Sequence, residues 1–222
     1  MIKFPSRTKI GIGAMAMLCG LLAFASTTAF ADTISLTQNN LGISQTIGTV
    51  TLTQIGAGQV QVSISMNAGF TIKLQGGDVF FNSSVGLSSS DFSNVTVVAG
   101  GVTSTGLSVD KLQFNKNNSI FGVFADRALS FKGGPSGVTS ADKLSFVITV
   151  PGLKVSDLEN MNSSGFIVSI HFCEAGGTNC GTNTGFVAGG TTVSTVPEPA
   201  SMTLLGTGLA GIAALVRRRL KA

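Results

Sequence analysis

His171, Cys173 and Cys180 form the densest group of chemically capable side chains in the chain. On a β-strand His171 and Cys173 point to one face. With Cys180 they make three of the four ligands a structural zinc ion takes. Glu174, the nearest fourth, falls on the opposite face if the strand continues, so no metal site is expected. A catalytic triad needs a nucleophile beside the histidine and an acid behind it. Ser169 is two residues away on the same face, but no Gly-x-Ser-x-Gly turn occurs. His171 is therefore expected to face solvent. Cys173 and Cys180 are the two cysteines that follow the leader described next. In an oxidising compartment they are expected to form a disulfide across the Gly176-Gly177 turn, worth about 2–3 kcal/mol by chain entropy. Asp78, Asp91, Asp110, Asp126 and Asp142 each sit near a strand end or turn, where local hydrogen bonding accounts for Asp. A pair of them in a cleft could hydrolyse glycosides. No Asp-x-Asp-x-Asp-Gly calcium loop occurs. No enzyme activity and no cofactor are expected.

The two ends carry a different chemistry, that of handling. Lys3, Arg7 and Lys9 precede an apolar stretch, Ile10 to Ala25, and then Ala29-Phe30-Ala31. That is the layout of a secretory signal peptide over residues 1–31, with cleavage by signal peptidase leaving Asp32 first. At the other end Val196-Pro197-Glu198-Pro199 precedes an uncharged run, Ala200 to Val216, then Arg217-Arg218-Arg219 and Lys221. Seventeen apolar residues are at the short end of a bilayer span. The basic flank puts the C-terminus inside and the body outside, in agreement with the leader. The prolines lock φ and keep the motif extended, as a protease cleft requires. Glu198 is the sole carboxylate within 20 residues on either side. Gly206-x-Gly208-x-x-Gly211 imitates a dinucleotide fingerprint but has neither the preceding strand nor the later acidic residue. It reads as helix packing.

In this order, the Pro197-Glu198-Pro199 motif, a glycine-punctuated apolar helix and three arginines closely resemble the PEP-CTERM sorting signal of Gram-negative bacteria. The resemblance covers about residues 195–221. It implies recognition by an exosortase, a membrane-embedded cysteine protease or transpeptidase, in cells that make exopolysaccharide. The tail class is found on varied cargo, including some ice-binding proteins. Gly48-Thr49-Val50-Thr51-Leu52-Thr53-Gln54, the strand after it, and Asn183 to Ala188 also resemble a recurrent body type among such sorted proteins, which implies a fold more than an activity.

Between the ends, residues 32–195 form one body. Its seven Lys and Arg against nine Asp and Glu leave it at −2, so the basic pI of about 9.2 belongs to the tails. A nucleic-acid partner would want a basic patch, and none exists. Low charge with regular apolar spacing argues for a packed domain rather than disorder. Gln59 to Met66 alternates strictly, and Leu144 to Val150 and Phe166 to Phe172 nearly do. Further strands are expected near 33–38, 46–55, 69–75, 78–82, 94–98, 109–114, 119–125 and 128–132. Gly56-Ala57-Gly58 reads as a hairpin loop. Ser156-Asp157-Leu158-Glu159 reads as a capping box, with Ser156 the N-cap. The stretch 178–195 reads as a loose tether. The expected fold is all-β, a single β-sandwich of about ten short strands. The chain has no Trp and no Tyr, which weakens a sugar platform, and the 12 Phe of the body are expected in the core. Asn82, Asn94, Asn117, Asn118 and Asn162 match or flank Asn-x-Ser/Thr patterns, read as surface composition.

The expectation is an exported protein, first anchored in the inner membrane with its body on the periplasmic side, then sorted to the cell surface or extracellular matrix. Its role would be structural or adhesive in the exopolysaccharide layer. A polysaccharide- or ice-binding module is the alternative, and a glycoside hydrolase a third. Exposed rows of Thr would favour ice, and a groove lined with Asn and Asp would favour sugars.

Overall fold

The computed structural model describes residues 30–74, 79–118, 120–124, 127–132, 139–174, 180, 183–190, 193–197, 208, 209 and 212. Contacts divide the chain into Ala29–Pro197 and a second unit of Met1–Thr28 with Glu198–Ala222. In the second unit Gly208, Leu209 and Ile212 are helical. The leader, the rest of the expected span and the arginines lie outside the described residues. Among the described residues no helix is long and apolar enough to cross a membrane.

The body is all-β, and every described strand pair is antiparallel. With strands numbered in chain order, the first sheet runs β17 (Val193–Pro197), β1 (Phe30–Leu36), β3 (Gly48–Gly56), β4 (Gln59–Met66), β14 (Lys143–Thr149), β7 (Phe92–Ala99), β8 (Val102–Thr105). The second is built on β15 (Val168–Glu174). One edge of β15 takes β16 (Thr184–Gly189), which pairs in turn with β2 (Gln38–Asn39). Its other edge takes β5 (Phe70–Lys73) and β6 (Val79–Phe81) end to end. Beyond them lie β13 (Ser140–Ala141), β12 (Arg127–Lys132) and β9 (Ser108–Gln113). A separate hairpin joins β10 (Lys116–Asn118) to β11 (Gly122–Phe124).

Alternation positions the sheets. In β4 Val60, Val62, Ile64 and Met66 are buried, and Gln59, Gln61, Ser63 and Ser65 are not. Ile34, Val50, Leu52, Ile64 and Phe146 of the first sheet join Ile72, Val79, Val168, Ile170 and Phe172 of the second in one apolar core. A second cluster packs Phe80, Phe121, Phe124 and Ala188, with Phe166 and Phe186 against them. The phenylalanines thus build two cores rather than one, and Phe114 is 58% exposed. The β3–β4 hairpin turns through Gly58 at φ +70, where a Cβ would meet Val150 O at 2.4 Å.

Several expectations are corrected. The described strands number seventeen rather than about ten. Strands of two or three residues, such as β2, β10 and β13, are too short to show a period. The stretch read as a tether holds β16 and most of β17. Val187 and Ala188 are fully buried there. Gly189 runs so close to β1 that a Cβ would sit 2.5 Å from Ser35 O. A Gly- and Thr-rich composition hid a strand that is small because its neighbour is close. The helical turn is a 3-10 turn, Val155–Leu158, capped from Lys154. Asp157, not Glu159, accepts the capping N–H, from Lys154 at 2.9 Å. Burial of Val155 and Leu158 sets that register and leaves Glu159 outside the turn.

Candidate functional site

Of the residues expected to serve cleavage, sorting and the disulfide, the structure describes Ala31, Pro197, Cys173 and Cys180. Ala29, Glu198, Pro199, Arg217, Arg218 and Arg219 lie outside the described residues. Phe30 and Ala31 belong to β1, where Phe30 pairs with Pro197 and Ala31 with Val196. The strand therefore spans the expected cleavage point. Pro197 closes β17, an edge strand, where a residue with no N–H is tolerated.

Cys173 and Cys180 are joined in a disulfide with Cα atoms 5.4 Å apart, which occupies both sulfurs of the three-ligand metal set. No group of three or more His, Cys, Asp or Glu suited to a metal occurs among the described residues. His171 does not face open solvent. It is half-buried and stacked on Phe186 at 4.4 Å between ring centroids. Burial, then the Lys73 charge, pushes its pKa down to about 4. Ser169 is fully buried and its Oγ accepts from Asn118 Nδ2 at 2.9 Å. Two of the asparagines read as surface composition are buried as well, Asn82 and Asn118. Their side chains hold loops, because a buried amide must be paired.

Two of the five aspartates hold turns, and Asp110 lies within β9. Asp91 accepts from Ser88 N at 2.7 Å, and Asp142 from Gly100 N at 2.9 Å. Asp78 and Asp126 lie outside the described residues. One carboxylate pair was not anticipated. Asp32 is 8% exposed, on the inward face of β1 with Ile34 and Leu36. Glu159, just after the 3-10 turn, lies close enough to feel its charge. Burial, the Asp32 charge and a hydrogen bond that protonated Glu159 donates to Asp32 push Glu159 up to about 7. Apart from each other's carboxyl group, Asp32 Oδ1 and Glu159 Oε1 are each buried without a partner. The signal was present in sequence: Asp32-x-Ile34-x-Leu36 puts a carboxylate on a core-facing position.

The outer face of the first sheet carries a second feature. Thr33 pairs with Thr51, Thr51 with Ser63, Ser63 with Ser145, Ser145 with Thr96 and Thr96 with Thr105. Ser194 of β17 occupies the next register position beyond Thr33. One row across all seven strands is thus made of hydroxyl residues. At about 4.8 Å between strands it is about 29 Å long. The next row contains Ser35, Thr49, Ser65 and Lys143. These rows are visible only once register is known.

A groove of about 460 Å³ is lined by Asn82, Ser83, Ser84, Asn160, Asn162 and Ser163, with Val123 and Met161. Its polar groups are largely engaged. Asn82 Nδ2 donates to Asn160 O, Asn160 Nδ2 to Asp157 O, and Asn162 Nδ2 to Phe121 O. Asn162 Oδ1 accepts from Ser164 N and Phe166 N.

Fold and ends together define an all-β body that carries a C-terminal sorting signal. Residues 195–219 match the family model of the PEP-CTERM protein-sorting motif, so the chain carries that sorting signal after its β body. The motif implies exosortase processing and an exported precursor anchored in the membrane before it. No curated protein and no solved structure matches the chain.

Proposed function

We propose that this is a non-enzymatic, exported β-sandwich body, delivered by an exosortase-like system to the cell surface or extracellular matrix, with a structural or adhesive role in the exopolysaccharide layer. The observation that carries it is the sorting motif at residues 195–219 directly after a disulfide-bonded β body. In this reading signal peptidase cuts after Ala31, helix 200–216 anchors the precursor, and Arg217, Arg218 and Arg219 stay cytoplasmic. The cut would also remove Phe30 and Ala31, the register partners of Pro197 and Val196. The sorting motif would then leave the sheet edge as an extended strand. Thr195, Ser194 and Val193 would keep Asp32, Thr33 and Ile34. Glu198 would be read by a basic pocket through a charge-assisted hydrogen bond.

The test is Glu198→Ala in a cell with the matching exosortase. Export should be unchanged, and the precursor should accumulate in the membrane with its tail attached, seen by immunoblot of membrane and extracellular fractions. Normal processing of the variant would reduce Pro197-Glu198-Pro199 to a stiff spacer.

The hydroxyl row supports a second reading, a surface that binds neutral polysaccharide. Neutral hydroxyls match an uncharged polymer of hydroxyls, and the groove's engaged amides make it the weaker sugar site. Sheet twist of about 20–25° per strand turns the hydroxyls progressively around the row. A flexible chain follows such a path better than a planar ice face does.

A further inference from the structure

We infer that the carboxyl pair of buried Asp32 and half-buried Glu159 is the binding site for the chain's own mature N-terminus, the α-ammonium group that cleavage after Ala31 creates on Asp32. This rests on the cleavage position read from Ala29-Phe30-Ala31. Hydrolysis of the Ala31–Asp32 amide by water breaks its C–N bond, leaves a carboxylate on Ala31 of the released leader, and leaves an amine on Asp32. That amine takes up a proton at neutral pH. It is tethered four bonds from the Asp32 carboxylate oxygens, so it lies within about 3–4.5 Å of them by covalent geometry.

Three observations point to a missing cation at this place. Asp32 is more than nine-tenths buried and its Oδ1 has no partner besides the Glu159 carboxyl group. Glu159 Oε1, from a different part of the chain, is a buried atom with no partner besides Asp32. With the leader attached, burial, the Asp32 charge and a hydrogen bond between the two carboxyl groups push Glu159 up to about 7, so Glu159 resists ionising beside Asp32. Burying like charges together is costly unless a cation joins them. Among the described residues the surrounding elements supply none. β3 and β17 carry no charged residue. The 3-10 turn carries Asp157, which already accepts from Lys154 N and Ser84 Oγ, and Lys154 is exposed. Glu198 beyond β17 lies outside the described residues. Maturation therefore places a positive charge on the first residue of β1, beside two carboxylates, and fastens the trimmed end of the strand.

The experiment uses the full chain exported from cells. N-terminal sequencing first establishes whether Asp32 is the first residue. Competitive acylation across pH 6–10, read by mass spectrometry of the N-terminal peptide, then titrates the α-amine. It should titrate above about 9, against about 7.7–8.0 for a free α-amino group, and at neutral pH it should react about tenfold more slowly. Glu159→Gln should bring it back toward the ordinary range and restore most of that reactivity. An Asp32 amine that titrates at its ordinary pH, in wild type and Glu159→Gln alike, overturns the inference. If Glu159→Gln is not recovered, the wild-type profile alone decides. An N-terminus other than Asp32 sinks the cleavage position and this site with it, and the sequencing step tells that failure apart.

Discussion

His171 is neutral in the folded body because its ring is half-buried against Phe186 and near Lys73, with burial the larger cause. Its folded pKa of about 4 lies below the ordinary 6.5, so the unfolded chain takes up the proton first. The stabilisation is fully present above pH 6.5 and is lost as pH falls toward 4, by about 1–3 kcal/mol. Glu159 acts with the opposite sign while the leader is attached. Its folded pKa is raised from 4.5 to about 7, so its contribution is present below pH 4.5 and is lost as pH rises through 7. Because the windows overlap, a variant must separate them. Tm of His171→Gln should fall less between pH 7 and 4 than that of wild type. Parallel profiles would mean that the imidazole is not protected.

At the scale of elements, β14 sits between β4 and β7 and brings Phe146 into contact with Phe92 and Phe131. Phe146 is 1% exposed. Phe146→Ala should cost about 3–5 kcal/mol by lost transfer energy and a cavity, a large share of the 5–15 kcal/mol typical of a domain. Urea unfolding measures it, and a loss under about 1 kcal/mol would contradict a core shared by the two sheets. The outer face of the same sheet predicts something different. Thr51→Lys with Ser63→Lys interrupts the hydroxyl row at half-exposed positions, so stability should change by no more than about 1 kcal/mol. Retention on an insoluble neutral polysaccharide should drop at least tenfold. Undiminished retention would remove the row as a binding surface.

For the molecule as a whole, location rests on the tail and packing on the body. Deleting Ala200 to Ala222 keeps β17 and removes the apolar run and the basic end. The exported body should then appear in the medium instead of the membrane fraction, on immunoblots of both. A truncated protein that stays with the membrane would contradict the anchor.

What the sequence determined by itself is whatever depends on local order along the chain. The sorting motif is linear, so Pro197-Glu198-Pro199 with its apolar and basic followers was legible without a fold, and residues 195–219 match that family. The all-β class was legible from alternation in strands such as β4, because side chains on a strand alternate faces whatever the topology. The disulfide followed from two cysteines separated by a short turn-forming loop. Tertiary structure alone decided three other things. Register across seven strands aligned Ser194, Thr33, Thr51, Ser63, Ser145, Thr96 and Thr105, residues scattered over more than 160 positions of chain. Packing of the aromatic cluster took His171 from the expected solvent to a half-buried stack. Close approach of β1 and the turn end brought Asp32 to Glu159, 127 residues away. The alternation Asp32-x-Ile34-x-Leu36 signals that Asp32 faces the core, but nothing in the sequence signals its partner, because what joins the two is a shared core and not a spacing.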